Sequence, residues 1–246
     1  MSEIAERKQG RRSAQDAENT KRRIMYVAAL LFCEHGYDKV SLRNISEKAG
    51  VSHSLIRHHF GSKEKIWQSI SDYFHEYMER YRDALIEQLG DKLALNEFMY
   101  QFSIRMVALM LVQPAPIQLI ADAVRQQTDE LVDYFISTSD QMQVFFIELA
   151  EKHNREFPQR PINIHEFKWQ MLLYAHGAAS LRPFMAEIWP DKLDINERLL
   201  AHWKMFENYA AQNLGIAPAQ RSQPEKLADL VLLDLVDCFK EEGFLP

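Results

Sequence analysis

The chain is poor in the residues that punctuate and cross-link a fold. Its 246 residues include only 8 glycines, 9 prolines and 2 cysteines. So few turn formers exclude an all-β fold built on tight turns and favour long helices. Cys33 and Cys238 supply neither a disulfide framework nor a metal-ligand pattern. Each lies on an apolar helical stretch, where a thiol serves as core filler. There is no run of about 18 apolar residues, the length a membrane helix needs. The opening residues are polar and charged rather than an apolar leader, so a soluble, cytoplasmic protein is expected. No Ser/His/Asp set, phosphate loop, dinucleotide glycine motif or carboxylate pair stands out, and His165-Glu166 lacks a second histidine at metal spacing. Neither an enzyme nor a cofactor is implied.

What the chain has is a large apolar fraction, 47%, enough for a sizeable core, and an uneven charge. Residues 1–70 carry 13 Lys/Arg against 8 Asp/Glu, a balance of +5, whereas residues 71–246 carry 16 against 27, a balance of −11. A basic head on an acidic body suits a head that meets phosphate and a body that does not.

Helical periodicity organises the chain. Residues 1–19 read as a flexible basic arm, whose Arg7, Lys8, Arg11 and Arg12 can follow DNA phosphates or serve solubility alone. From about Thr20, apolar Ile24, Val27, Ala28, Leu31 and Phe32 recur at helical spacing until Gly36. Ser41 is placed to cap a short helix over 42–48, Ser52 one over 53–59, and Ser62 a long one over 63–89. The long helix keeps an apolar stripe from Ile66 through Tyr77 and Tyr81 to Leu89. Further helices are expected at 92–112, 115–125, 127–156, 163–188, 194–213 and 224–241, with prolines near most breaks and Pro183 kinking one from inside. No strand is expected.

The stretch from Ser41 to Trp67 carries the functional signal. Two short helices joined at Gly50-Val51 form a helix-turn-helix, whose second helix enters a major groove. With Leu55, Ile56 and Phe60 inward, His53, Ser54, Arg57 and His58 occupy the outer face. An arginine there can donate two hydrogen bonds to a guanine edge or pair with phosphate. Any amphipathic surface helix shows the same two faces, so pattern alone leaves both readings open. The histidine cluster His53, His58 and His59 lacks nearby carboxylate or thiolate help, so no metal site is expected.

Residues 20–67 resemble the DNA-binding head of the TetR/AcrR family of bacterial regulators. The resemblance rests on Ile24 and Ala28 ahead of Leu31-Phe32, Gly36-Tyr37, Ile45 before Lys48-Ala49-Gly50-Val51-Ser52, then His59-Phe60 and Ser62-Lys63-Glu64. It implies an all-α protein with a three-helix head linked by a long helix to a ligand-binding and dimerisation domain over 68–246. It implies that His59 and Lys63 touch phosphate, and that Ser41, Arg43 and Asn44 begin the helix lying on the backbone. Ser52, the cap of the reading helix, is expected at DNA as well, and His53, Ser54 and His58 on that helix occupy variable reading positions. Arg57 departs from the family, which commonly has Tyr there. The implied partners are palindromic operator DNA, a second copy of the chain and a small effector. The implied mechanism is repression lifted when the effector tilts the long helix; an activator or DNA-organising relative without an effector is the alternative.

Within the body, 163–188 and 224–241 look too apolar for a solvated surface, and a four-helix seam between two copies is expected from them. Large apolar residues of the middle helices are candidates to line an effector cavity: Phe102, Met106, Tyr134, Phe145, Trp169 and Tyr174, with His176 as a polar member.

Overall fold

A computed structural model describes the backbone of residues 2–125, 129–137 and 140–232, and side chains from residue 15 onward within those segments apart from residue 140. All regular structure among the described residues is helical. The expected arm is continuous with the first helix, α1 (Ser2–His35), which therefore starts well before Thr20. The head continues with α2 (Leu42–Ala49) and α3 (His53–Phe60), and α4 (Lys63–Leu89) leads into the body. The body comprises α5 (Leu95–Val112), α6 (Ala115–Arg125), α7 (Asp129–Ser137), α8 (Asp140–Glu156), α9 (Ile164–Ser180), the short α10 (Met185–Ile188) and α11 (Ile195–Leu214). A strap of residues 217–232 follows, with 3-10 turns at Pro218–Gln220 and Leu227–Leu230.

Each head helix begins where a serine replaces a missing backbone partner. The Ser41, Ser52 and Ser62 hydroxyls accept from the N–H groups of Asn44, Leu55 and Lys65. Gly50 closes α2 at φ 64°, a conformation that a Cβ would disfavour. Behind these helices, Ile24, Phe32, Ile45, Ile56, Ile66, Trp67 and Ile70 form a buried core, which Leu119, Ala123 and Leu131 of α6 and α7 join. The head core is thus continuous with the near side of the body.

The body is built around α5, which buries residues on every side, from Met99, Tyr100 and Phe102 to Val107, Leu109 and Leu111. This is the helix that apolar residues encircle. Against it lies α11, locked in register by Trp203 Nε1 donating to the Ile104 carbonyl (2.9 Å) and Asn96 Nδ2 donating to the Leu214 carbonyl (3.1 Å). No single helix among the described residues is long and apolar enough to cross a membrane.

Three expected helices differ. The span 127–156 is described as α7 and α8, with residues 138–139 between them outside the described set. The span 163–188 is not one kinked helix: α9 ends at Ser180, and Pro183, which has no N–H to donate, sits in a 3-10 turn at Arg182–Phe184 before α10. The start of the 224–241 helix is the strap, where Leu227, Leu230 and Val231 bury themselves against α5 and α11 of the same chain. Its described part therefore cannot be half of a seam between two copies; residues 233–241, with Cys238, lie outside the described residues.

Candidate nucleic-acid interface

α3 is eight residues long and presents His53, Ser54, Arg57 and His58 to solvent while Ile56 and Phe60 are buried. Burial of those two anchors fixes the helix's rotation, so the outer face is set by the core and not by its own side chains. His59 lies between the faces, half-buried, its ring 5.5 Å from His58 and 6.3 Å from Phe60. Arg57 is exposed and has no ion-pair partner among the described residues. Arg43, at the start of α2, is also exposed and pairs with Glu47 one turn on at 2.8 Å, which raises its pKa further.

Several residues expected at DNA have structural duties. Ser41 and Asn44 close a capping box: Asn44 N–H donates to Ser41 Oγ at 3.2 Å, and Ser41 N–H donates to Asn44 Oδ1 at 2.8 Å. Ser52 caps α3, and its hydroxyl is hydrogen-bonded to that of Ser54 at 2.9 Å. Lys63 is half-buried; its ammonium donates to the Tyr37 carbonyl at 2.8 Å and lies 4.0 Å over the Tyr37 ring. Burial lowers its pKa, against the pull of Asp38.

Tyr37 leads to the junction that sequence reasoning missed. Its backbone N–H donates to Asp122 Oδ2 at 2.8 Å, so a carboxylate from body helix α6 holds the turn after α1. Asp122 is buried, with Arg125 at 2.5 Å on its other oxygen. Nearby, Cys33 donates to the Ala115 carbonyl at 3.6 Å, and burial, helped by Asp122, pushes its thiol up to about 12. The available signal was an acid inside the apolar run of α6.

The seven expected effector residues do not converge on one cavity. Phe102 and Phe145 pack ring to ring at 5.2 Å, in the α5-centred core that also buries Met106. Tyr134 sits with the head core, its hydroxyl donating to Asp72 at 2.8 Å. Trp169 is 60% exposed on the outside of α9. Tyr174 packs on His202 and Phe206 of α11, and its carbonyl lies 2.7 Å from His202 Nε2. His176 is half-buried, which lowers its pKa. Among the described residues no three His, Cys, Asp or Glu are placed to hold a metal ion.

Residues 24–70 match the sequence profile of bacterial regulatory proteins, tetR family. Two curated relatives match part of the chain. The transcriptional repressor AcnR of Corynebacterium efficiens is 38% identical over 53 residues, covering 22% of this chain and 28% of its own. The regulatory protein RaaS of Mycobacterium tuberculosis is 40% identical over 65 residues, covering 26% of this chain and 30% of its own. The chain thus spans less than a third of the length of either relative. The likeness to solved structures extends further. The crystal structure of AibR, in complex with isovaleryl coenzyme A and operator DNA, superposes with a TM-score of 0.54 over 76% of this chain and 97% of that one, at 17% identity. At that identity the likeness concerns the fold alone. Residues 24–70 thus match the head of the tetR family of bacterial regulatory proteins, and the rest of the chain shares their helical fold.

Proposed function

We propose that the protein is a sequence-specific DNA-binding transcriptional regulator, acting as a homodimeric repressor that a small, mostly apolar effector releases from its operator. The observation that carries the reading is the outer face of α3. His53, Ser54, Arg57 and His58 face solvent on a helix whose rotation Ile56 and Phe60 fix. Base edges are read by donors such as these, while Arg43, His59 and Lys63 flank them as phosphate contacts.

One head reads only a few base pairs, and two heads about 34–36 Å apart read a palindrome. The surface that suits pairing of two copies is the exposed face of α9 and α11. Trp169, Leu172 and Leu173 stand out on α9, and Met205 does so at 50% exposure on α11. A patch this apolar is a liability unless covered.

The experiment is a binding titration against the DNA upstream of the protein's own gene, repeated over a range of salt. Operator affinity well above that for unrelated DNA is the expected result. A steep salt dependence with no sequence preference sinks the reading, because phosphate contacts alone give that behaviour.

A further inference from the structure

The strap after α11 is pinned at both ends and open in the middle. At its start, Arg221 grips the buried Glu207 with Nε at 2.8 Å and a second nitrogen at 2.5 Å. Ser222 N–H donates to the Tyr100 hydroxyl at 2.9 Å, and that hydroxyl donates to Glu207 at 2.7 Å. At its far end Arg105 donates to the Leu230 carbonyl at 3.2 Å, and Leu232 N–H donates to the Tyr81 hydroxyl at 3.2 Å. Tyr81 belongs to α4, the helix that carries the head. Between the pins, residues 223–228 border an open groove of about 1140 Å³.

The groove has an apolar floor from Val112 of α5 and Leu200 of α11, with Leu111, Leu199 and Trp203 buried beneath it. Its rim is charged. Lys192 and Lys204 are already paired, with Asp191 at 3.7 Å and Glu207 at 2.9 Å. Arg182 and Lys226 are exposed and have no carboxylate within ion-pair distance among the described residues. Asp194, Glu197 and Glu225 share the rim, which disfavours a polyanion and confines a single carboxylate to the immediate neighbourhood of Arg182 or Lys226.

We propose that this groove binds an amphipathic monocarboxylate, its chain on the apolar floor and its carboxylate at Arg182 or Lys226, and that the strap reports occupancy to α4 through Tyr81. The second half rests on the regulator reading above; the first does not. A molecule seated under residues 223–228 presses on a segment whose far pin is a bond to α4. Tyr81 acts here as a positioning residue, with no contact to the ligand.

The test uses the full chain and sodium dodecanoate below its micelle concentration, with dodecyltrimethylammonium as the opposite-charge control. Dodecanoate is expected to raise the melting temperature. Arg182→Glu combined with Lys226→Glu is expected to weaken its binding by about tenfold or more. Both residues are exposed, and circular dichroism checks that the variant keeps its helices. Absence of dodecanoate binding, equal binding in parent and variant, or equal binding of the cation overturns the site. Tyr81→Phe should leave dodecanoate affinity in place while shrinking the ratio of operator affinities measured without and with dodecanoate; an unchanged ratio overturns the coupling. If the protein binds no operator at all, the regulator reading fails while dodecanoate binding still decides the site.

Discussion

The head and the body are held together by opposite means. In the head, three helices in succession start on a serine hydroxyl, at Ser41, Ser52 and Ser62, and the bonds close within three residues. In the body, α5 and α11 start with no side-chain cap. They are tied by bonds between residues about a hundred positions apart, Trp203 to Ile104 and Tyr100 to Glu207. Local bonds set where each head helix starts, while Asp122 of α6, accepting from the Tyr37 N–H, ties the unit to the body. Long-range bonds make a body whose shape is decided jointly.

Substitutions can sharpen that contrast, and the largest effect is expected at the outer face of the body. Trp169→Asp with Leu173→Asp should turn dimers into monomers in sedimentation and lower operator affinity by about a thousandfold, the loss expected when two linked heads become independent. Dimers that persist at low concentration would discredit α9 as the pairing face. Next comes the long-range network. Glu207→Gln leaves Arg221 facing a neutral amide in a buried site and should cost about 3 kcal/mol in denaturant titration. Burial pushes the Glu207 carboxyl up, yet its bonds to Arg221, Tyr100 and Lys204 outweigh that and hold it below its ordinary value of 4.5. A depressed acid stabilises the fold at pH above its unfolded value and loses that contribution as pH falls through the folded value. The parent should therefore lose stability on acidification below about 4.5 more steeply than Glu207→Gln; parallel curves would contradict the assignment.

Smaller effects belong to the head. Arg57→Ala should cost about 2 kcal/mol of operator affinity with no change in melting temperature, since its side chain is exposed and has no ion-pair partner in the described head. Lys63→Ala should lower both, because its ammonium also holds the Tyr37 carbonyl. If Lys63→Ala leaves the melting temperature untouched, its bond to Tyr37 carries no weight. The smallest effect is Ser52→Ala, about 1 kcal/mol of stability from one lost cap, read from thermal unfolding.

The same contrast explains what could be read from the amino-acid order. Helices α2, α3 and α4 lie within one residue of expectation because serine caps and Gly50 are local signals. The outer face of α3 follows from Ile56 and Phe60 in the same way. Local patterns did not reveal that Asn44 and Lys63 also bond within the head, although the spacing of Ser41 and Asn44 allows a capping box. In the body, the spans 92–112, 115–125 and 194–213 were legible within three residues of α5, α6 and α11, and the other three were not. Leu227, Leu230 and Val231 looked like a helix because they are apolar, and only the groove beside α5 shows why they lie flat. Asp122, 85 positions from Tyr37, had no local partner to betray it.

α4 is one uninterrupted helix from Lys63 to Leu89, with its first turns in the head core and Tyr81 in the body. At about 1.5 Å per residue, Tyr81 and Lys63 stand roughly 27 Å apart along one stiff rod. A rotation of only about 5° at the Tyr81 end swings the Lys63 end by roughly 2 Å, given that rise per residue. Hydrogen bonds to phosphate tolerate only a few tenths of an ångström about their preferred length. On the reading proposed above, such leverage lets the body misalign the head without unfolding any part of it.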